Sequence, residues 1–119
     1  MAKFTFIQYP ACGTCRKARK WLEENQVAYN NRLIVEENPT REELKRWIPM
    51  SGLPIKKFFN TSGVLYKEMN LKDRLATMSE EEQIDLLASN GKLVKRPLMV
   101  SEETVLVGFK EEEWANTLK

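Results

Sequence analysis

The feature that most restricts the fold is a junction. The alternating run Lys3-Phe4-Thr5-Phe6-Ile7-Gln8 stops at Tyr9-Pro10-Ala11, and Cys12-Gly13-Thr14-Cys15 leads straight into a helical pattern. Phe4 and Phe6 fall on one face of a strand and Thr5 and Ile7 on the other, so both faces suit burial. Ala18, Trp21 and Leu22 recur at the spacing of one helix face, which predicts a helix from about Gly13 to Glu24, ended near Asn25. Two thiols thus sit where a buried strand hands over to a helix.

The rest of the chain extends this unit. Val27 to Val35 reads as a second strand, with polar Asn30, Asn31 and Arg32 ahead of Leu33-Ile34-Val35. Thr40-Arg41-Glu42-Glu43 has the form of a capping box, and Leu44, Trp47 and Ile48 give the buried stripe of a helix expected to halt at Pro49. Ser51 to Arg74 carries Gly52, Pro54 and Gly63 between short apolar groups, which suits short helices and turns. Ser79-Glu80-Glu81-Glu82 is a second capping box, before a helix that turns Ile84, Leu87 and Ala88 inward. Gly91 stands where its C-terminal stop is expected.

Pro97-Leu98-Met99-Val100 and Thr104-Val105-Leu106-Val107 form a hairpin across Ser101-Glu102-Glu103, and Glu111-Glu112-Glu113 opens a last helix that would bury Trp114 and Leu118. The order is β-α-β, a helical middle, then β-β-α. It predicts an α/β, thioredoxin-like fold around a mixed four-stranded sheet. We read one domain over residues 1–119, with core halves about 1–36 and 91–119 and a helical insertion of about 40–90.

Composition narrows the chemistry. A net charge of +2 gives no general attraction to nucleic acid or membrane, and no apolar run has the length of a signal peptide or a membrane span. The expectation is a monomeric cytoplasmic protein with no membrane or direct DNA partner. In that compartment a structural disulfide is disfavoured. The chain has no histidine, so Cys-His catalysis and mixed Cys/His zinc sites are excluded within it. Two thiolates are half of a structural zinc site, and no second ligand pair follows; no metal is expected. A phosphatase-like loop needs arginine six residues after the cysteine, where Cys12 meets Ala18 instead.

A cysteine just ahead of a helix faces unsatisfied N–H groups and the positive end of the macrodipole, which favour thiolate. Cys12 sits there, with Arg16 one turn away, while Cys15 lies inside the first turn and is more shielded. Cys12 is therefore the candidate nucleophile and Cys15 the candidate resolving thiol; the alternative is a pair of unreactive cysteines. Arg16, Lys17, Arg19 and Lys20 form either a solvated helix face or a surface for an anionic partner such as glutathione, an oxyanion or an acidic protein patch. Lys95-Arg96-Pro97 precedes the third strand, where a thioredoxin frame faces its cysteines. A cis bond at Pro97 would offer backbone hydrogen-bonding groups to a substrate there.

Together these residues resemble the arsenate reductase/Spx family of thioredoxin-fold proteins. The likeness covers nearly the whole chain: Tyr9 to Arg16, Glu37-Asn38-Pro39, the inserted helices and Lys95-Arg96-Pro97-Leu98. In the glutathione/glutaredoxin-linked arsenate reductases, the cysteine matching Cys12 attacks arsenate, and the arginine matching Arg96 is among those holding the oxyanion. Those enzymes usually have serine at the position of Cys15, and further arginines at positions that fall near Asn60 and Gly108 here. Without these arginines a doubly charged oxyanion is held less favourably. The Spx branch carries C-x-x-C as a redox switch and binds the RNA polymerase alpha subunit. The resemblance implies a thiol–disulfide oxidoreductase regenerated by glutathione or by a thioredoxin or glutaredoxin system. Its alternative is a redox-sensing regulator that meets polymerase.

Overall fold

The computed structural model describes residues 3–118. Four strands, β1 (Thr5–Gln8), β2 (Asn30–Leu33), β3 (Leu98–Val100) and β4 (Val105–Val107), form one sheet in the order β2-β1-β3-β4. β1 runs parallel to β2 and antiparallel to β3, and β3 pairs antiparallel with β4. The helices are α1 (Gly13–Glu24), α2 (Arg41–Ser51), α3 (Val64–Glu68), α4 (Leu71–Arg74), α5 (Glu80–Ser89) and α6 (Glu111–Leu118). This is the mixed four-stranded, thioredoxin-like α/β arrangement that the element order predicts. No described helix is long and apolar enough to cross a membrane.

The alternation of the strands divides the core in two. Phe6, Met99 and Leu106 lie in one row across the sheet and pack with Ala18, Trp21, Leu22 and Trp114, from α1 and α6. The adjacent row, Ile7, Leu98 and Val107, faces the opposite way, onto Leu44, Trp47, Phe58, Leu87 and other residues of the helical middle. Burying each such large apolar side chain stabilises the fold by roughly 1.5–3 kcal/mol. Trp114 is fully buried, and its indole N–H is satisfied by the Gly108 carbonyl at 3.1 Å. Leu118, at the end of the same helix, is only partly buried.

Both capping boxes form reciprocally. Thr40 and Ser79 accept from the N–H groups of Glu43 and Glu82, and both glutamates accept in return from the cap backbones. The segment from Ser51 to Arg74 holds a 3-10 turn at Ile55–Phe58 followed by α3 and α4, in keeping with its broken apolar pattern.

Three boundaries differ from expectation. α2 does not halt at Pro49 but continues to Ser51. At that place proline removes only one bond of the final turn, the Ser51 hydroxyl binds the Ile48 carbonyl at 2.7 Å, and left-handed Gly52 closes the helix. The second strand is shorter than Val27–Val35, because β1, its one partner among the described residues, offers four residues; the chain turns directly after Leu33. Gly91 does not end α5, which stops at extended Asn90. A Cβ on Gly91 would lie 2.0 Å from the Ile34 carbonyl oxygen, so glycine is needed there for close approach of two backbones.

One long-range contact prepares the site. Phe59 bridges Val94 in antiparallel fashion, flanked by the Lys95 N–H on the Phe58 carbonyl at 2.7 Å and the Asn60 N–H on the Leu93 carbonyl at 2.8 Å. The helical middle is thereby fastened to the segment that enters β3.

Candidate active site

Cys12 is the N-cap of α1, with extended backbone (φ −80°, ψ 125°), which places its sulfur at the helix start. Its own N–H is used by the Tyr9 carbonyl at 2.9 Å, which closes the Tyr9-Pro10-Ala11 turn beneath it. Cys12 is half-buried, whereas Cys15, one turn into the helix, has no exposed surface. Both thiols are free.

The two are tuned in opposite directions. Partial burial opposes the Cys12 thiolate more than any other single influence. Hydrogen bonds from the Cys15 backbone and thiol, the Thr14 backbone and the Arg96 guanidinium together outweigh it and hold Cys12 below the ordinary thiol value. Burial pushes Cys15 up to about 12. The Tyr9 N–H, 3.5 Å from its sulfur, works against that, while the hydrogen bond to Cys12 and the Cys12 charge add to it. The pair is therefore biased toward thiolate at Cys12 and thiol at Cys15.

Arg96 reaches the site from the opposite segment. Its guanidinium carbon lies 4.7 Å from the centre of the Tyr9 ring, and one of its nitrogens donates to the Lys92 carbonyl at 3.3 Å. The bond between Arg96 and Pro97 is cis. Pro97 is buried, and its carbonyl accepts the Gly108 N–H at 2.8 Å. Arg96, and not Pro97, lines the open cleft over Cys12.

Arg16 is placed differently. It is exposed, and its Nε donates to the Pro10 carbonyl at 3.3 Å. Arg19 binds Gln8 Oε1 at 2.9 Å, and Gln8 in turn holds Asn31 of β2, so this member of the basic run ties helix to sheet edge. Lys17 and Lys20 are exposed on the same helix.

The cleft has a volume of about 380 Å³ and runs between Tyr9, Ala11, Cys12 and Thr14 on one wall and Asn60, Ser62, Gly63 and Val64 on the other, with Lys95 and Arg96 between them. The second wall was not foreseen. Asn60 stood out in the sequence only as a place without an arginine, and Lys95 only as a neighbour of Arg96. The usable signal was the polar Asn60-Thr61-Ser62-Gly63 turn, which has nothing apolar to bury. At the other arginine-lacking position, Gly108, a Cβ would come within 3.3 Å of Lys95 Cε, so the glycine leaves room for that lysine stem.

Comparison with known proteins agrees with this frame. Residues 7–117 match the model of the ArsC family. The chain is 57% identical over 110 residues to the uncharacterized protein YusI of Bacillus subtilis, covering 92% of this chain and 93% of that protein. It is 31% identical over 109 residues to the global transcriptional regulator Spx of Enterococcus faecalis, covering 92% of this chain and 81% of that one. Among solved structures, a putative ArsC family related protein from Bacteroides fragilis superposes with a TM-score of 0.95 at 70% identity, over 98% of each chain. With a match that runs from within β1 through the inserted helices and both walls of the cysteine cleft into α6, the chain belongs to the ArsC family.

Proposed function

We propose that this protein is a thiol–disulfide oxidoreductase in which Cys12 attacks and Cys15 resolves. The observation that supports it most is the asymmetry of the pair: Cys12 opens into a cleft at a helix start, and Cys15 is sealed one turn behind it. The Cys12 thiolate attacks one sulfur of a substrate disulfide, forming a mixed disulfide and releasing the other sulfur as thiolate. That step removes the Cys12 charge and its hydrogen bond, two of the influences that hold Cys15 protonated. Cys15 then loses its proton to the departing thiolate and attacks the Cys12 sulfur. The first half of the substrate leaves as a thiol and the second as a thiolate that takes a proton from water; the protein has lost two electrons, and a Cys12–Cys15 disulfide remains. Two external thiols, from glutathione or a thioredoxin or glutaredoxin system, restore it in a reducing cytoplasm.

Arg96 supports the thiolate, and Pro97 shapes the substrate side from beneath. Arsenate is a poor fit to this reading, since Asn60 and Gly108 supply no guanidinium to the cleft. The test is turnover of a disulfide substrate with glutathione or thioredoxin as reductant. Cys12→Ser should abolish it, and Cys15→Ser should trap a mixed disulfide visible by mass; undiminished turnover in Cys12→Ser would sink the proposal.

A second reading is favoured by the relative named as a global transcriptional regulator. In it the same pair senses oxidation and another face meets the RNA polymerase alpha subunit. Capture of that subunit by the protein, changed when Cys12 and Cys15 are oxidised, would support it; no capture in either redox state would exclude it.

A further inference from the structure

Three clefts are linked in series by the side chains they share. The cysteine cleft and a second cleft of about 250 Å³ have Lys95 in common. The second shares Lys56 and Tyr66 with a third of about 370 Å³, whose lining adds Pro54, Ile55, Leu75 and Ala76 together with Lys72 and Gln83. The character changes along the run, from nucleophile to cations to a mainly apolar surface that keeps Lys56 and Lys72.

The middle cleft is built, not incidental. The 3-10 turn at Ile55–Phe58 projects Lys56 and Lys57, and Phe59 packs on Tyr66 with ring centres 6.4 Å apart. Lys95 is held beside them by the ladder between Phe58–Asn60 and Leu93–Lys95. Among the described residues the ion pairs involve Arg32, Arg41 and Lys45, so none of these three lysines is neutralised by a carboxylate. Three such cations over an aromatic floor favour an anionic ligand that also carries apolar surface.

We propose that the three clefts form one groove for an extended, acidic protein segment. Its carboxylates dock on Lys56, Lys57 and Lys95, its apolar residues fill the third cleft, and its cysteine is presented to Cys12. A small carboxylate-bearing thiol reaches one or two clefts, whereas only an extended chain occupies all three. The last element rests on the oxidoreductase reading; the docking does not.

Two measurements test this. Affinity is read by fluorescence anisotropy for a cysteine-free peptide carrying an acidic run beside a Leu-Phe pair, and for its control with lysines replacing the acids. The acidic peptide should bind and the basic one should not. Lys56→Glu with Lys57→Glu should weaken binding by about tenfold or more, and Lys56→Gln with Lys57→Gln by less. Both variants should still reduce the uncharged 2-hydroxyethyl disulfide at the wild-type rate. Equal affinity for the two peptides, or no response to either double variant, overturns the groove. So does an equal loss toward glutathione disulfide and a peptide disulfide, which would assign the lysines to a small thiol. A protein that binds the acidic peptide yet reduces no disulfide keeps the groove and refutes the oxidoreductase reading instead.

Discussion

The Arg96 guanidinium lies over the Tyr9 ring, 4.7 Å from its centre, and is one of the groups that lower the Cys12 thiol, so an aromatic face fixes a cation beside the nucleophile. Arg96→Gln should therefore move the pH profile of Cys12 alkylation by iodoacetamide toward higher pH. Alkylation at neutral pH should slow several-fold as the thiolate fraction falls. Tyr9→Leu should shift the profile the same way by a smaller amount, because it frees the guanidinium without removing it. An unchanged profile in Arg96→Gln would assign the thiolate's stability to the helix start alone.

Cys15 is both buried and raised to about 12, so it should resist alkylation under conditions that consume Cys12. At about pH 9, where an ordinary thiol is largely ionised, mass spectrometry of the native protein should show a single adduct, at Cys12. Denaturation before labelling should give two. A rapid second adduct on the native protein would contradict the sealed position of Cys15.

The pairing of Arg32 with Glu43 makes a specific claim about acid. Both terminal guanidinium nitrogens donate to the carboxylate, at 2.7 and 2.8 Å, and this pairing is the largest influence holding Glu43 below the usual carboxylate range. A depressed carboxyl stabilises the fold above its unfolded pKa, and the contribution is lost as pH falls through the folded value. Glu43→Gln, which keeps an acceptor for the Thr40 cap, should cost about 1 kcal/mol in urea unfolding at neutral pH. The difference from wild type should vanish in strong acid, well below about pH 4. A difference independent of pH would mean that packing, not charge, is what Glu43 contributes.

Gly91→Ala tests the contact between α5's exit and the turn after β2. The new Cβ would lie 2.0 Å from a backbone oxygen, which cannot swing aside as a side chain would. A loss of about 3 kcal/mol or more in thermal or urea unfolding is expected. A loss of a few tenths would show that the two segments separate readily.

What could be read from the sequence was what neighbouring residues decide among themselves. The spacing of Ala18, Trp21 and Leu22 set α1, and Thr40 with Glu43 and Ser79 with Glu82 marked two helix starts, because capping and amphipathic burial are local. The position of Cys12 at a helix start followed in the same way. Arg96 beside Cys12 could be anticipated only through the topology. The Asn60–Val64 wall and the seat of Lys95 could not be, since they depend on backbone pairing between residues more than thirty apart. The Pro49 and Gly91 misreadings share this origin: each residue type was given its usual local meaning, and a hydroxyl in one case and a distant carbonyl in the other decided the outcome.

The ladder joining Phe58–Asn60 to Leu93–Lys95 also bears on how such a chain can diverge. Its hydrogen bonds belong to the backbone, so they survive almost any exchange of the side chains they carry. Residues 56, 57, 60 and 95 can therefore be rewritten from one descendant to another, changing what is admitted to Cys12, while the scaffold that aims them is inherited intact. Deleting the inserted helices, by contrast, would take away the wall and its anchor in one event. Partner choice in this architecture is free to drift by substitution and closed to change by truncation.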